Sequence, residues 1–204
     1  MKKDKLSIIG FSALILLLGP AAARADDYNI DPNHSKVTFK VKHLGISWVP
    51  GRFNDFSGTF SFDQKNIAGS TAAATIKAKS IDTDNVKRDK HLNEPDFLAT
   101  DSYSDITFKS TKIAPVDETT FKATGDLKIK EISKPVTLDV VYNGSATGME
   151  GEQRAAFTAT GKINRKDWGI TWNKLIEAGG LAVGEEVLVT IEIEAVKVGT
   201  EPKK

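Results

Sequence analysis

The strongest constraint on the fold is an alternation of apolar and polar residues with a period of two. Within 36–43, Val37, Phe39, Val41 and His43 share one face, while lysines and threonines share the other. This alternation is typical of a half-buried antiparallel strand, because a helix would scatter the same residues around its axis. The pattern predicts eight strands, and the others lie within residues 56–62, 69–81, 103–112, 121–130, 135–143, 154–164 and 186–198.

Two segments, 82–100 and 165–184, interrupt the alternation and are predicted to be short helical or irregular stretches. Each predicted strand has one apolar face, so the strands must close into a barrel or stack as two sheets to bury it. An up-and-down barrel leaves no free strand edge. We therefore predict an all-β fold, an eight-stranded antiparallel barrel, with a two-sheet sandwich as the alternative.

The N-terminus has the features of a secretory signal peptide. Three lysines precede an apolar run over residues 6–18, and Ala23-Arg24-Ala25 follows as a small-residue cleavage site. The run is shorter than the roughly 20 residues that a transmembrane anchor needs. We expect cleavage after residue 25, a single soluble domain over residues 26–204, and a periplasmic location, with secretion as the alternative.

Composition excludes several classes of function. The chain has no cysteine, which excludes thiol catalysis and thiolate metal sites, and 28 basic residues balance 27 acidic ones, which gives no sign of a nucleic-acid partner. No nucleophile elbow, phosphate-binding loop, dinucleotide fingerprint or metal-binding histidine pair occurs. We predict neither enzymatic activity nor a cofactor or metal. A hydrolase or isomerase with His43 or His91 as base, and a holdase that uses exposed tryptophans, are the alternatives.

The inward face of the predicted barrel contains many alanines and glycines. Small residues that face each other would leave an apolar void at the density of protein interiors, whereas Phe39, Phe60, Phe108 and Phe157 could instead fill the space. Burial of one methylene contributes about 0.8 kcal/mol, against an association cost of roughly 4–15 kcal/mol. A lumenal ligand should therefore bury roughly twenty or more carbons, as a polyisoprenoid, a quinone tail or a fatty acyl chain would.

Polar side chains near the strand ends have two interpretations. Arg88, Asp89 and His91 in the first irregular segment would form a polar mouth that orients a ligand head group. Alternatively, Arg88 and Asp89 pair with each other within a helix-capping network that closes the barrel end. Arg165 and Asp167 allow the same two interpretations, and His43 ends an inward-facing row.

A series of spaced motifs runs along residues 28–169. The motifs are Tyr28-x-Ile30-Asp31-x-x-His34-Ser35, His43-Leu44-Gly45, Gly51-x-Phe53-x-x-Phe56-x-Gly58, Arg88-Asp89-x-His91-Leu92, Tyr103-x-x-Ile106-x-Phe108-x-Ser110, Gly125-x-Leu127, Ser133-Lys134-Pro135-Val136 and Arg165-x-x-Trp168-Gly169. Their order resembles that of the YceI family, although Glu131 stands where a turn glycine is usual. The resemblance implies an exported, lipocalin-like barrel that holds a polyisoprenoid or related lipid, often as a homodimer.

The predicted ligand-binding residues combine the inward faces of the strands with the polar and aromatic residues of the two irregular segments. They are Phe39, Val41, His43, Phe56, Phe60, Ala74, Ile76, Arg88, Asp89, His91, Leu92, Phe108, Leu127, Leu138, Phe157, Arg165, Trp168 and Ile191. The predicted partner is one long-chain lipid, isoprenoid or fatty-acid-like, bound by a periplasmic carrier that does not span the membrane.

Overall fold

The computed structural model describes residues 25–175 and 180–200, and the predicted leader lies outside the described residues apart from Ala25. Within these ranges the chain folds almost entirely into antiparallel strands. No helix there is long and apolar enough to cross a bilayer. The strands are β1 (Asp26–Ile30), β2 (Lys36–His43), β3 (Ser47–Phe53), β4 (Phe56–Phe62), β5 (Thr71–Lys77), β6 (Ile81–Asp82), β7 (Asp105–Pro115), β8 (Thr120–Ile129), β9 (Ile132–Thr147), β10 (Gln153–Asn164) and β11 (Val183–Lys197).

Eight of these strands form a closed ring in the order β1-β4-β5-β7-β8-β9-β10-β11. The ring closes because β1 pairs with β4 on one side and with β11 on the other, where Ile30 lies opposite Ala195. Closure leaves no edge strand in the ring, which removes the row of unpaired backbone groups that an open sheet would expose. The predicted all-β antiparallel barrel is confirmed, and the sandwich alternative is wrong.

The strands β2, β3 and β6 extend the sheet beyond this ring. The long strand β11 pairs with β1 near its C-terminal end and with β2 along residues 183–192. The first predicted strand is β2, and β1 and β2 are two halves of one strand that bends at residues 31–35. At the bend, the Ser35 hydroxyl donates to the carbonyl of Glu194 and accepts from its N–H, both at 3.0 Å. The sequence analysis did not predict β1, β3 or β6.

The two irregular segments lie at the same end of the barrel. Helix α1 (Val86–Asn93) falls within 82–100 as predicted, and its N-cap Asn85 accepts a hydrogen bond from the backbone N–H of Arg88 at 3.0 Å. The second segment begins with a 3₁₀ turn, Arg165–Trp168. Near its end, just before β11, an antiparallel backbone bridge joins Leu175 to Leu181. The other 3₁₀ turns are Gln64–Gly69 and Ala78–Ser80.

The opposite end of the barrel is filled by aromatic rings, which we call the aromatic plug: Tyr28, Phe60, Phe62, Phe121 and Phe157. The ring of Phe157 lies 5.0 Å from those of both Phe60 and Phe62. Such edge-to-face pairs contribute about 0.5–1.5 kcal/mol each beyond burial. Ala123, Ala155 and Ala195 are buried beneath the rings and make room for them. The lumen is therefore closed at this end.

Candidate ligand-binding cavity

A cavity of about 500 Å³ occupies the rest of the lumen, above the plug. Its walls are mainly valine, isoleucine, leucine and phenylalanine side chains, and Leu138 and Ile193 both line it and pack against the plug cluster. The predicted residues that line it are Phe39, Val41, His43, Phe56, Ala74, Ile76, Arg88, His91, Leu92, Phe108, Leu127, Leu138, Arg165 and Ile191.

Four predicted residues lie elsewhere. Phe60 and Phe157 belong to the aromatic plug, because the twist of the barrel brings their ends of β4 and β10 together. Asp89 does not line the cavity, and its carboxylate accepts hydrogen bonds from the N–H and the hydroxyl of Thr83. Trp168 is only 2% exposed, and its indole N–H donates to the carbonyl of Leu127 at 3.1 Å, so it seals the barrel wall.

Small residues do not open the cavity in the way that the sequence suggested. Of the inward alanines and glycines, Ala74 alone lines it. A Cβ atom on Gly125 would lie 2.5 Å from the ring of Phe108, and one on Gly161 would lie 2.6 Å from Leu138. Each large side chain therefore lies over a glycine of the neighbouring strand, flat along the wall. This packing keeps the centre of the lumen free.

An aromatic trio covers part of the open end. The ring centroid of His91 lies 4.8 Å from Phe97 and 5.0 Å from Trp172, and Nε2 of His91 lies 3.1 Å from a carboxylate oxygen of Asp96. The exposed His43 also lines the cavity, so the cavity reaches solvent beside the β2–β3 turn. Sequence analysis missed Phe97, since irregular segments have no period that marks an inward face, and it expected Trp172 to cover the barrel mouth or a dimer seam without counting it among the ligand-binding residues.

Arg88 and Asp89 do not pair with each other as one interpretation proposed. Both bind Thr83: the Arg88 guanidinium donates to the hydroxyl and the carbonyl of Thr83 at 2.7 Å each, and the Asp89 carboxylate accepts from the Thr83 N–H at 2.9 Å. Asp89 thus belongs to the capping network, whereas Arg88 still lines the cavity. The proposed Arg88–Asp89 pair is therefore wrong, and the head-group role of Arg88 stays a prediction.

Arg165 is a buried cation beside the cavity. It is 5% exposed and donates to the carbonyls of Ile170 at 2.7 Å and Gly184 at 2.9 Å, which ties the second irregular segment to β11. It has no ion-pair partner among residues 25–175 and 180–200. Burial lowers the pKa of Arg165, an effect that Glu185 partly offsets, yet a guanidinium stays charged at neutral pH. It can therefore attract an anionic or carbonyl head group.

Comparison with known proteins decides the family. The model of the YceI-like domain matches residues 28–195. The chain belongs to the YceI family. The protein YceI of Shigella flexneri is 42% identical over 168 residues, which cover 81% of this chain and 87% of that protein.

Two solved structures share the YceI fold. The YceI protein of Campylobacter jejuni has a TM-score of 0.66 at 35% identity, and the match covers 77% of this chain and 90% of that one. A domain from Saccharophagus degradans, described as polyisoprenoid binding and implicated in plant cell wall breakdown, has a TM-score of 0.58 at 18% identity and covers 83% and 98%. At that identity the likeness concerns the fold.

One YceI motif gathers possible metal ligands on the outside of the barrel. Ligand atoms of Asp31, His34 and Glu194 lie within 4.8 Å of one another. However, the Arg154 guanidinium lies 2.9 Å from Asp31 and 2.5 Å from Glu194, so both carboxylates already have a cationic partner. The cluster is therefore best explained as an ion-pair network that fixes the bend between β1 and β2 to the neighbouring strands.

Proposed function

We propose that this protein binds the hydrocarbon tail of one long-chain amphiphile in the barrel cavity and carries it through the periplasm. The amphiphile would be a polyisoprenoid, an isoprenoid quinone or a fatty acyl derivative. The observation that carries the proposal is the cavity itself, which has apolar walls, an aromatic floor and cationic groups near its mouth. An apolar pocket with few convergent polar groups is typical of a small-ligand site.

The cavity volume sets the length of tail that is buried. A methylene fills about the same space as one water, ~30 Å³, so 500 Å³ accommodates roughly sixteen carbons. At about 0.8 kcal/mol each, these would contribute about 13 kcal/mol, near the upper end of the 4–15 kcal/mol association cost. The buried length is shorter than the sequence suggested because the plug removes one end of the lumen. A longer tail would extend past the mouth.

The head group would lie where the polar residues meet the cavity. Arg88, Arg165 and His91 line it near the two irregular segments. Guanidinium groups form strong, often bidentate hydrogen bonds to phosphate and carboxylate. These residues therefore favour an anionic or carbonyl-bearing head group over a bare hydrocarbon.

Two observations beyond the cavity support the proposal. The Saccharophagus degradans domain that shares this fold is described as polyisoprenoid binding. The N-terminal sequence has the features of an export signal. Cell fractionation would test the periplasmic location: we expect the mature protein in the osmotic-shock fluid, and recovery in the cytoplasm would contradict the carrier role.

Native mass spectrometry of protein purified without detergent tests the binding itself. We expect a mass excess that disappears on organic extraction, together with recovery of a single-tailed lipid in the extract. The same spectra would test the homodimer that we propose from the family. Ligand-free protein from several expression hosts would contradict the proposal.

The hydrolase or isomerase alternative gains no support from the cavity. Within residues 25–175 and 180–200, neither imidazole is hydrogen-bonded to a serine or threonine hydroxyl, and Ser47 donates only to the backbone carbonyl of His43, at 3.5 Å. His91 contacts the carboxylate of Asp96, but the two side chains are 44% and 42% exposed, so this is a surface contact at the mouth rather than a shielded acid–base pair. We therefore retain the prediction that the protein is a binding protein.

A further inference from the structure

Exposed apolar side chains gather on two adjoining segments at the open end of the barrel. We call this group the mouth patch: Leu44, Ile46 and Trp48 of the β2–β3 hairpin, with Leu175 and Leu181 of the second irregular segment. Ile46 is 83% and Leu175 78% exposed. The two parts adjoin, since the backbone N–H of Leu44 donates to the carbonyl of Ala182 at 2.9 Å.

The folding of the hairpin does not require these residues. Leu44 and Gly45 both have positive φ, 53° and 75°, and the N–H of Ile46 bonds the carbonyl of His43 at 3.1 Å. A tight turn with positive φ at both central residues favours asparagine at the position of Leu44, because a leucine in the left-handed region is strained. The chain thus places an exposed leucine where a polar residue would stabilise the turn better.

Two lysine side chains adjoin the mouth patch. The ammonium groups of Lys40 and Lys42 lie 5.2 and 4.7 Å from the Trp48 ring centroid. Neither lysine forms an ion pair in the described part of the chain. Tryptophan and lysine are the residues that favour the interface between lipid head groups and acyl chains.

The plugged end offers a useful contrast. Among its exposed apolar residues, Val116 and Met149 are followed in sequence by acidic side chains, Asp117 and Glu118 after the first and Glu150 after the second. At the mouth, by contrast, Trp48 lies beside two lysines that form no ion pair in the described structure. Lysines near a membrane surface are attracted to anionic lipids.

We propose that the mouth patch docks this protein on the surface of an anionic phospholipid bilayer. Lys42 and His43, which adjoin the patch, also line the cavity, so docking would bring the cavity entrance to the bilayer. The inference extends the proposed function, since the bilayer is a source of long-chain lipid. Docking itself needs no bound ligand.

Co-sedimentation with phosphatidylcholine vesicles, with and without phosphatidylglycerol, tests the docking. We expect binding only to the anionic vesicles, weakened by salt, with a blue shift of Trp48 emission. Ile46→Ser should weaken binding at least about tenfold, because an isoleucine side chain leaves the bilayer. Leu44→Asn should weaken binding while it stabilises the fold, which separates docking from folding.

Val116→Ser and Met149→Ser at the plugged end are the matched controls and should bind vesicles like the wild type. Equal binding to neutral vesicles, or no effect of the Leu44 and Ile46 substitutions, would overturn the proposal. A third result would also overturn it: the wild type binds no vesicles, and a substitution in the mouth patch converts a dimer into a monomer. The patch would then be a dimer interface. If native mass spectra show bound lipid but the protein does not bind vesicles, only the docking proposal is rejected. If the protein binds vesicles but carries no lipid, only the carrier function is rejected.

Discussion

Replacement of Ile191 by tryptophan tests whether the ligand occupies the cavity. Ile191 lies in the middle of β11 and lines the cavity, opposite Ala159 on one neighbouring strand and Val37 on the other. The larger ring would project into empty space, so little overpacking strain is expected. The fold should therefore tolerate the change.

The expected loss of affinity follows from the volume that the ring fills. The indole ring has about six more non-hydrogen atoms than the isoleucine side chain, but ring atoms carry few hydrogens, so the side chain grows by only about 60 Å³, the space of about two methylenes at ~30 Å³ each. Room for about two methylenes of the 500 Å³ cavity is lost, and at about 0.8 kcal/mol each this amounts to about 1.6 kcal/mol. Hexadecanoate should bind roughly fifteenfold more weakly.

Isothermal titration calorimetry on delipidated protein would measure this change. Decanoate needs only the space that remains, so its affinity should stay nearly constant, and the preferred chain length should shorten. Thr190→Trp is the matched control, because Thr190 precedes Ile191 on β11 but points outward and is exposed. Wild-type affinity of Ile191→Trp for hexadecanoate would refute the assignment of the ligand to this cavity.

Three further predictions concern stability and are read from urea denaturation. Hydrogen bonds from His34 and Arg154 outweigh the effect of burial and lower the pKa of Asp31 to about 2, so the stabilisation is present above pH ~4 and is lost toward pH ~2. Asp31→Asn should lower the free energy of unfolding by up to about 2 kcal/mol at neutral pH. A difference in unfolding free energy between wild type and variant that stays constant down to pH ~2 would contradict this. Phe157→Ala should cost about 3–5 kcal/mol, and a loss below about 1 kcal/mol would show that the plug is not a packed core. Lys130 has a φ of 57°, and Lys130→Gly should stabilise the β8–β9 turn by about 0.5–1 kcal/mol, whereas a loss would show that the lysine side chain contributes contacts.

The turn at Lys130 shows how far family motifs predict local geometry. The family places a turn glycine at the position of Glu131, yet the positive φ falls on Lys130. The register between β8 and β9 decides this, because Ile129 pairs with Ile132 and leaves a two-residue turn between them. Sequence alone identifies the turn, and strand pairing assigns the strained position.

Around helix α1, the sequence also predicts the type of segment, while tertiary contacts set the orientation of its side chains. The loss of period two within 82–100 predicts a break in the sheet, and the motif around Arg88 predicts polar groups near the mouth. Which of them faces the lumen depends on Thr83, whose hydroxyl and backbone orient both Arg88 and Asp89. No local pattern in the sequence marks Thr83 for this role.

Alternation with period two is enough to predict strands with one apolar face each, and to require that these faces be buried in a barrel or between two sheets. Period two is a local property, and the burial of an apolar face follows from it. Strand pairing across the barrel sets how the lumen is divided, because Phe157 meets Phe60 and Phe62 between strands that are far apart in sequence. Closure and twist bring such rings together at one end, whereas Phe108 and Leu138 lie over glycines of the neighbouring strands and leave the centre of the cavity open.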